Sequence, residues 1–241
     1  MWNGSEPFRI AYGAGHYLGT AGRRVPVALD AAQTKEWALN DRVARFFAEA
    51  AESYEGVELL RMDDPTGKGA VSLEQRCKAA NDWGADFCLS IHHNAYQGKP
   101  WNGSGVLAFS APGSKQGRVY RDAIYDTVVQ AGKLAGDRIG PKLEKGYTFL
   151  KSVKTPAVLV EYGFMDSRID APVILSESYA KAVGYATMEA IAKVAGLRKK
   201  ESLYRVQVGA FSEKKNAENM LLRLKNAGFE GFIVGEKQNG R

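Results

Sequence analysis

The stretch PAVLVEYGF, Pro156 to Phe164, sets four consecutive apolar residues between a proline and a carboxylate and closes on a glycine two residues later. A run of strand length that is apolar at every position reads as a strand covered on both faces, as in a parallel sheet between helix layers. Working outward, FRIAYGA, VELLRM, DFCLSIHHN and GSGVLAFS read as further strands. Between them, EWALNDRVARFFAEAAE carries Leu39, Val43, Phe46, Phe47 and Ala50 at helical spacing from Glu36 onward, and SLEQRCKAANDWGA reads as a helix ending near Gly84. A long helix is expected within APGSKQGRVYRDAIYDTVVQAGKLAG, a loop around GPKLEKGYTFL, and a last helix over roughly Ala171 to Ala195. Strands alternating with helices predict an α/β fold: a twisted, mostly parallel sheet covered by helices on both faces.

The basic stretch LRKKES marks a boundary. Expected are a first domain over 1–196, a linker over 197–202 and a small C-terminal βαβ unit over 203–241. In that unit LYRVQVGAF alternates as a strand, SEKKNAENMLLRLKNAGF reads as a helix with Ser212 as N-cap and Gly228 past its end, and GFIVGE reads as a second strand. A unit this small rarely buries enough apolar surface to stand alone, so docking, or pairing in a homodimer, is expected of it.

Composition narrows the function classes. The chain has 241 residues, 45% hydrophobic and 25% charged, which excludes disorder, collagen and coiled coil as whole-chain answers. No window holds the roughly 18 apolar residues of a membrane span, and MWNGSEPFRI lacks a secretory signal's basic start and apolar run. The expectation is therefore synthesis in the cytoplasm without a signal peptide. Cys77 and Cys88 have no CxxC spacing and read as reduced, buried small hydrophobes. The net charge of +6 sits mostly in the tail, where Leu197 to Arg241 holds ten basic and five acidic residues, pointing to an anionic partner such as nucleic acid, a membrane surface or an acidic wall polymer.

Polar residues gather at three strand ends, in GH16, SIHHN and VEYG, where open α/β sheets bind their ligands. With three histidines in all, two of them adjacent, a site of two histidines and one carboxylate is the favoured metal site. His16 follows a glycine-rich turn, and Glu36 is a candidate carboxylate in the first turn of its helix with Asn40 one turn on. Strand alternation puts Cys88, Ser90, His92 and Asn94 on one side and Phe87, Leu89, Ile91 and His93 on the other, without saying which side faces a site. Each histidine has a competing reading as a hydrogen-bonded structural or surface residue. Glu161 follows PAVLV directly, so it is partly buried and is either functional or a member of a structural ion pair.

In order, GH, then E with N four residues later, then SIHxN, then PAVLVExGFM resemble the zinc-dependent N-acetylmuramoyl-L-alanine amidases of bacterial autolysins and phage endolysins. GSGV followed by PGSK, and DRIGPK in the position of that family's R-x-G-x-K, agree, and the resemblance spans about Ile10 to Ala195. It implies that one zinc per chain is held by His16, Glu36 and His92, that Glu161 is the catalytic carboxylate, and that the substrate is the lactyl amide to L-alanine in bacterial peptidoglycan. His93, where the family commonly has a small residue, reads as supporting the ligands, facing substrate or merely exposed, and Asn94 is a second candidate for contacting substrate. Tyr17 departs from the glycine that relatives often carry after GH. The tail resembles a sporulation-related (SPOR) repeat of half the usual length, which implies binding to wall glycan. The implied protein is bacteriolytic, acting on the wall after lysis or signal-independent release. Rival readings are a zinc peptidase or carboxypeptidase acting on the stem peptide, and a non-catalytic basic protein binding wall glycan or nucleic acid. The last is disfavoured because Tyr204 and Phe211 fall on opposite faces of their strand.

Overall fold

A computed structural model describes residues 4–136, 139–201 and 206–235. The chain divides into two compact units, Met1–Lys200 and Glu201–Arg241. The first unit is built on six strands: β1 (Phe8–Ala14), β2 (Val57–Arg61), β3 (Phe87–Asn94), β4 (Leu107–Ser110), β5 (Lys142–Glu144) and β6 (Ala157–Phe164). They lie in the order β2-β1-β3-β6-β4-β5. The pairings are parallel except between β4 and β6, which run antiparallel, so the expected mostly parallel sheet is found.

Helices cover both faces. On one side α1 (Glu36–Ala51), α3 (Lys115–Gly132) and α6 (Glu177–Ala195) pack on one another and on the strands, and on the other lie α2 (Leu73–Trp83) and α4 (Thr148–Ser152). The uninterrupted run of β6 is explained by this: Val158 and Val160 enter the α1–α3–α6 core, while Ala157 and Leu159 enter the smaller core with Cys77, Cys88 and Phe149. Both cysteines are free and buried, and burial pushes the Cys88 thiol up to about 12.

Three local readings differ from the sequence expectation. The stretch GPKLEKGYTFL contains β5 and α4, elements too short to show periodicity. The expected single helix over 171–195 is two, α5 (Ala171–Ile174) and α6, because extended Ser176 caps α6 by accepting the Tyr179 N–H. Residues 198–200, inside the expected linker, instead hydrogen-bond back to 53–55 of the first unit. Asp137 and Arg138 of the DRIGPK stretch lie outside the described residues.

In the second unit the described residues hold one helix, α7 (Lys214–Asn226), with no buried residue. Where alternation predicts strands, 206–210 and 231–235 show no ladder pairing among the described residues, and 203–205 and Glu236 lie outside them. This departs from the expected βαβ unit. The physical reason is size: Val206, Val208, Phe229 and Phe232 are all exposed, so among the described residues one helix and two short segments enclose no core to hold a ladder in register.

Candidate metal centre and active site

The candidate site sits at the C-terminal ends of β1, β3 and β6. After β1 the chain turns at Gly15 and His16. A β-carbon on Gly15 would lie 2.1 Å from the His92 ring, so only glycine lets the two segments meet. His16 itself has φ +67°, a left-handed conformation that costs a non-glycine residue free energy. The surroundings impose it. Arg76 of α2, buried, donates to the carbonyls of Ala14 (2.6 Å), His16 (2.9 Å) and Val71 (3.1 Å), and buried Asp63 accepts the Ala14 N–H at 2.9 Å.

Glu36, the first residue of α1, is 1% exposed and reaches both histidines: its Oε2 is 3.3 Å from His16 Nε2 and its Oε1 is 3.1 Å from His92 Nδ1. The ligand-type atoms of His16, Glu36 and His92 all lie within 4.8 Å of one another. Burial alone would raise the Glu36 carboxyl, but the close imidazoles of His16 and His92 outweigh it and hold the group well below the carboxylate range. His92 Nε2 meets Ser90 Oγ at 3.1 Å, two residues back on the same face of β3.

Glu161 faces His92 across the β3–β6 pair, where the two are in register. Its Oε2 is buried and has no hydrogen-bond partner, as is Glu36 Oε2. Burial, reinforced by the negative charge of Glu36 and opposed by Arg23, pushes the Glu161 carboxyl up to about 8. Among the described residues no ion pair to Glu161 accounts for it. Just beyond, the register slips between His92 and Asn94, opposite Gly163 at φ +113°.

The neighbouring histidine has a different environment. His93 is 2% exposed, its Nδ1 is 2.8 Å from Asn40 Oδ1, and its ring lies 6.1 Å from that of Tyr162. The reading of His93 as merely exposed is overturned by this burial. Asn40 in turn donates to the Gly15 carbonyl at 3.1 Å and reaches Glu36 Oε1 at 3.5 Å, tying both glycine turn and carboxylate to α1. A cavity of about 190 Å³ is lined by His16, Glu36, His92, His93, Asn94 and Glu161 together with Arg23, Tyr147 and Leu159. Thus the structure brings His16, Glu36, His92, His93, Asn94 and Glu161, the candidate site residues of the sequence, to one cavity. Arg23, Tyr147, Ser90 and the Asp63–Arg76 brace were missed; only Ser90 left a trace, by alternation with His92.

Two histidines and a buried carboxylate could hold a metal ion, and a second carboxylate stands beside them in the same cavity. Comparison with known proteins narrows the class. Residues 11–193 match the N-acetylmuramoyl-L-alanine amidase family model, and residues 178–235 match the SPOR domain model, which begins inside α6. The chain is 32% identical over 185 residues to the N-acetylmuramoyl-L-alanine amidase CwlM of Bacillus licheniformis and 34% over 183 residues to the sporulation-specific amidase of Bacillus subtilis. Each match covers 75% of this chain and 68% of the relative. An endolysin of Bacillus phage SPP1 is 31% identical over 133 residues, 53% of this chain and 47% of its own. The fold is that of the amidase from Clostridium difficile 630 (TM-score 0.69, 20% identity, covering 78% of this chain and 97% of that one). It is equally that of the CwlV catalytic domain of Paenibacillus polymyxa (TM-score 0.69, 17% identity, 79% and 99%). The chain belongs to the N-acetylmuramoyl-L-alanine amidase family and is an enzyme of peptidoglycan hydrolysis. Among the described residues no helix is long and apolar enough to cross a membrane.

Proposed function

We propose that His16, Glu36 and His92 hold one zinc ion and that Glu161 is the proton carrier in hydrolysis of the amide between the lactyl group of N-acetylmuramic acid and L-alanine. The donor chemistry supports the zinc. Two imidazoles and a carboxylate held deprotonated by its histidine neighbours are a common zinc set, and the buried Glu36 Oε2 without a hydrogen bond is an acceptor in want of a cation. Zinc in such a site supplies Lewis acidity toward a carbonyl oxygen and acidifies water toward neutral pH.

The observation that carries the reading is Glu161: a half-buried carboxylate whose Oε2 is buried with no hydrogen-bond partner among the described residues, on the strand beside His92 and lining the same cavity. Burial raises its proton affinity, which suits a group that takes a proton from water and returns it to the departing alanine nitrogen. Asn40 holds Glu36 and the Gly15 turn in place, and Arg76 fixes the His16 backbone, so neither histidine has to be ordered during turnover. We also read the basic tail as a wall-glycan contact, with pairing of two chains as its route to a full-sized binding unit.

One preparation tests this. Zinc-loaded protein incubated with cell-wall sacculi is expected to expose new N-terminal alanine and to co-sediment with the walls. Glu161→Gln is expected to keep its zinc and lose about 10³-fold or more in turnover. Cleavage of a stem-peptide bond instead, by mass spectrometry, or near-normal Glu161→Gln activity, would remove the proposal.

A further inference from the structure

The small cavity opens into a larger groove of about 640 Å³ between the β1 turn, the segment before α2, and α4. Its walls include Met62, Ala70, Val71, Leu73 and Phe149, and it shares His16, Arg23, His92, Tyr147 and Leu159 with the small cavity. These walls suit the methyl and methylene groups of a peptide better than the hydroxyl-covered surface of a glycan.

At the seam stands Arg23. Among the described residues it is the only lysine or arginine lining the small cavity. The other arginine of the groove, Arg76, is buried and committed to three backbone carbonyls. The root of Arg23 is fixed, because its carbonyl accepts the Glu36 N–H at 3.0 Å and the next residue, Arg24, bridges to Lys35. Its head is not: the side chain is 53% exposed, and its approach to Glu36 Oε2, 3.9 Å, is at the outer limit of an ion pair with a carboxylate that two histidines already hold. A fixed root with an uncommitted guanidinium is a reader of carboxylates, which it grips with two parallel N–H donors.

We infer that Arg23 binds the free carboxylate of the residue that follows L-alanine in the stem peptide, with that peptide lying in the apolar groove. The inference rests on the amidase reading and adds to it a preference for substrates whose second residue is an acid over those in which it is amidated. Glu36 and Glu161, the carboxylates of the cavity, carry the wrong sign to supply that selectivity.

The test uses N-acetylmuramoyl-L-alanyl-D-glutamate and its counterpart amidated at the α-carboxyl, with the zinc-loaded full chain. The wild-type protein is expected to show a KM about tenfold lower for the acid at similar kcat, the size of one well-made charge-assisted contact. Arg23→Gln should raise KM for the acid alone and erase the difference, Arg23→Lys should recover part of it, and zinc content should be unchanged in both. Equal wild-type KM values, or an Arg23→Gln that slows both substrates alike, would overturn the inference. Failure of the wild type to cut either substrate would instead strike the amidase reading. Arg23 is then read from binding alone, by titrating L-alanyl-D-glutamate and its amide and following NMR shifts: a preference for the acid that Arg23→Gln abolishes supports it, and equal affinities reject it.

Discussion

The end of β3 presents a closed core on one face and an open cleft on the other, and His93 and His92 sample the two from adjacent positions. His93 points among Asn40 and Tyr162 at the back of the cavity, and burial lowers its pKa to about 3, so it is a neutral ring held through Nδ1 alone. His92 lies on the cleft face with Ser90 and Glu161, within reach of Glu36. Burial of a polar ring therefore does not by itself mark a functional residue. What separates the pair is which groups each ring meets: His92 reaches Glu36 Oε1 and Ser90 Oγ at the cavity, whereas His93 is tied through Nδ1 to Asn40 and packs near Tyr162, its Nε2 buried without a partner among the described residues.

The strongest way to break this comparison is to delete each ring in turn. His92→Ala is expected to lose bound zinc, measured by elemental analysis, and about 10³-fold or more of activity, with little change in fold. His93→Ala is expected to keep its zinc and to lose about 2–4 kcal/mol of stability in denaturant melts, from the cavity and the abandoned Asn40 oxygen. The reverse pattern would exchange the roles of the two.

The same two faces should bend stability with pH in opposite directions in protein stripped of metal by a chelator. Glu161, raised to about 8 from the ordinary 4.5, keeps in the folded chain a proton that the unfolded chain releases. Stability is thus lost as pH climbs from about 4.5 to 8. His93, lowered to about 3 from 6.5, binds its proton more readily when unfolded, so stability is lost as pH falls from about 6.5 to 3. Glu161→Gln should flatten the alkaline limb and leave the acid one, and His93→Ala should make the acid limb shallower without removing the share of Glu36 and His92, which are lowered too, read as melting temperature across pH 4 to 9. An alkaline limb unchanged by Glu161→Gln, or an acid limb as steep as before in His93→Ala, would assign that limb to other groups. The smallest effect is expected deepest in the closed face: Tyr162→Phe removes a 2.8 Å bond to Thr187 and should cost about 1 kcal/mol with activity unchanged.

Much of the sheet was legible because its evidence is local. The run AVLV shows two-sided burial, Leu39 to Ala50 show a helix period, and Ser72 and Gly84 bracket α2. The metal-type residues were legible as order along the chain, and the alternation of β3 separated His92 from His93 correctly, though only the family resemblance chose between them. Arg23 and Tyr147 left no such trace, since an arginine in GRRV and a tyrosine in GYT look like any loop residues until the fold brings them to the cavity. The break between α5 and α6 was hidden because Ser176 interrupts an otherwise continuous helical pattern with a cap. The tail misled in the opposite sense: alternation in VQVGA is a statement about which residues share a face, and a face without a core to cover it specifies no partner strand.

Arg76 carries a consequence for the enzyme as a whole. Its guanidinium belongs to α2, yet its acceptors are the carbonyls on either side of the glycine turn that presents His16. Anything that grips His16 therefore also steadies the acceptors that anchor this helix, and part of its binding free energy is spent on keeping α2 docked. Occupancy of the centre and fraying of that helix become one equilibrium viewed from two ends, with a single buried cation as the hinge between them.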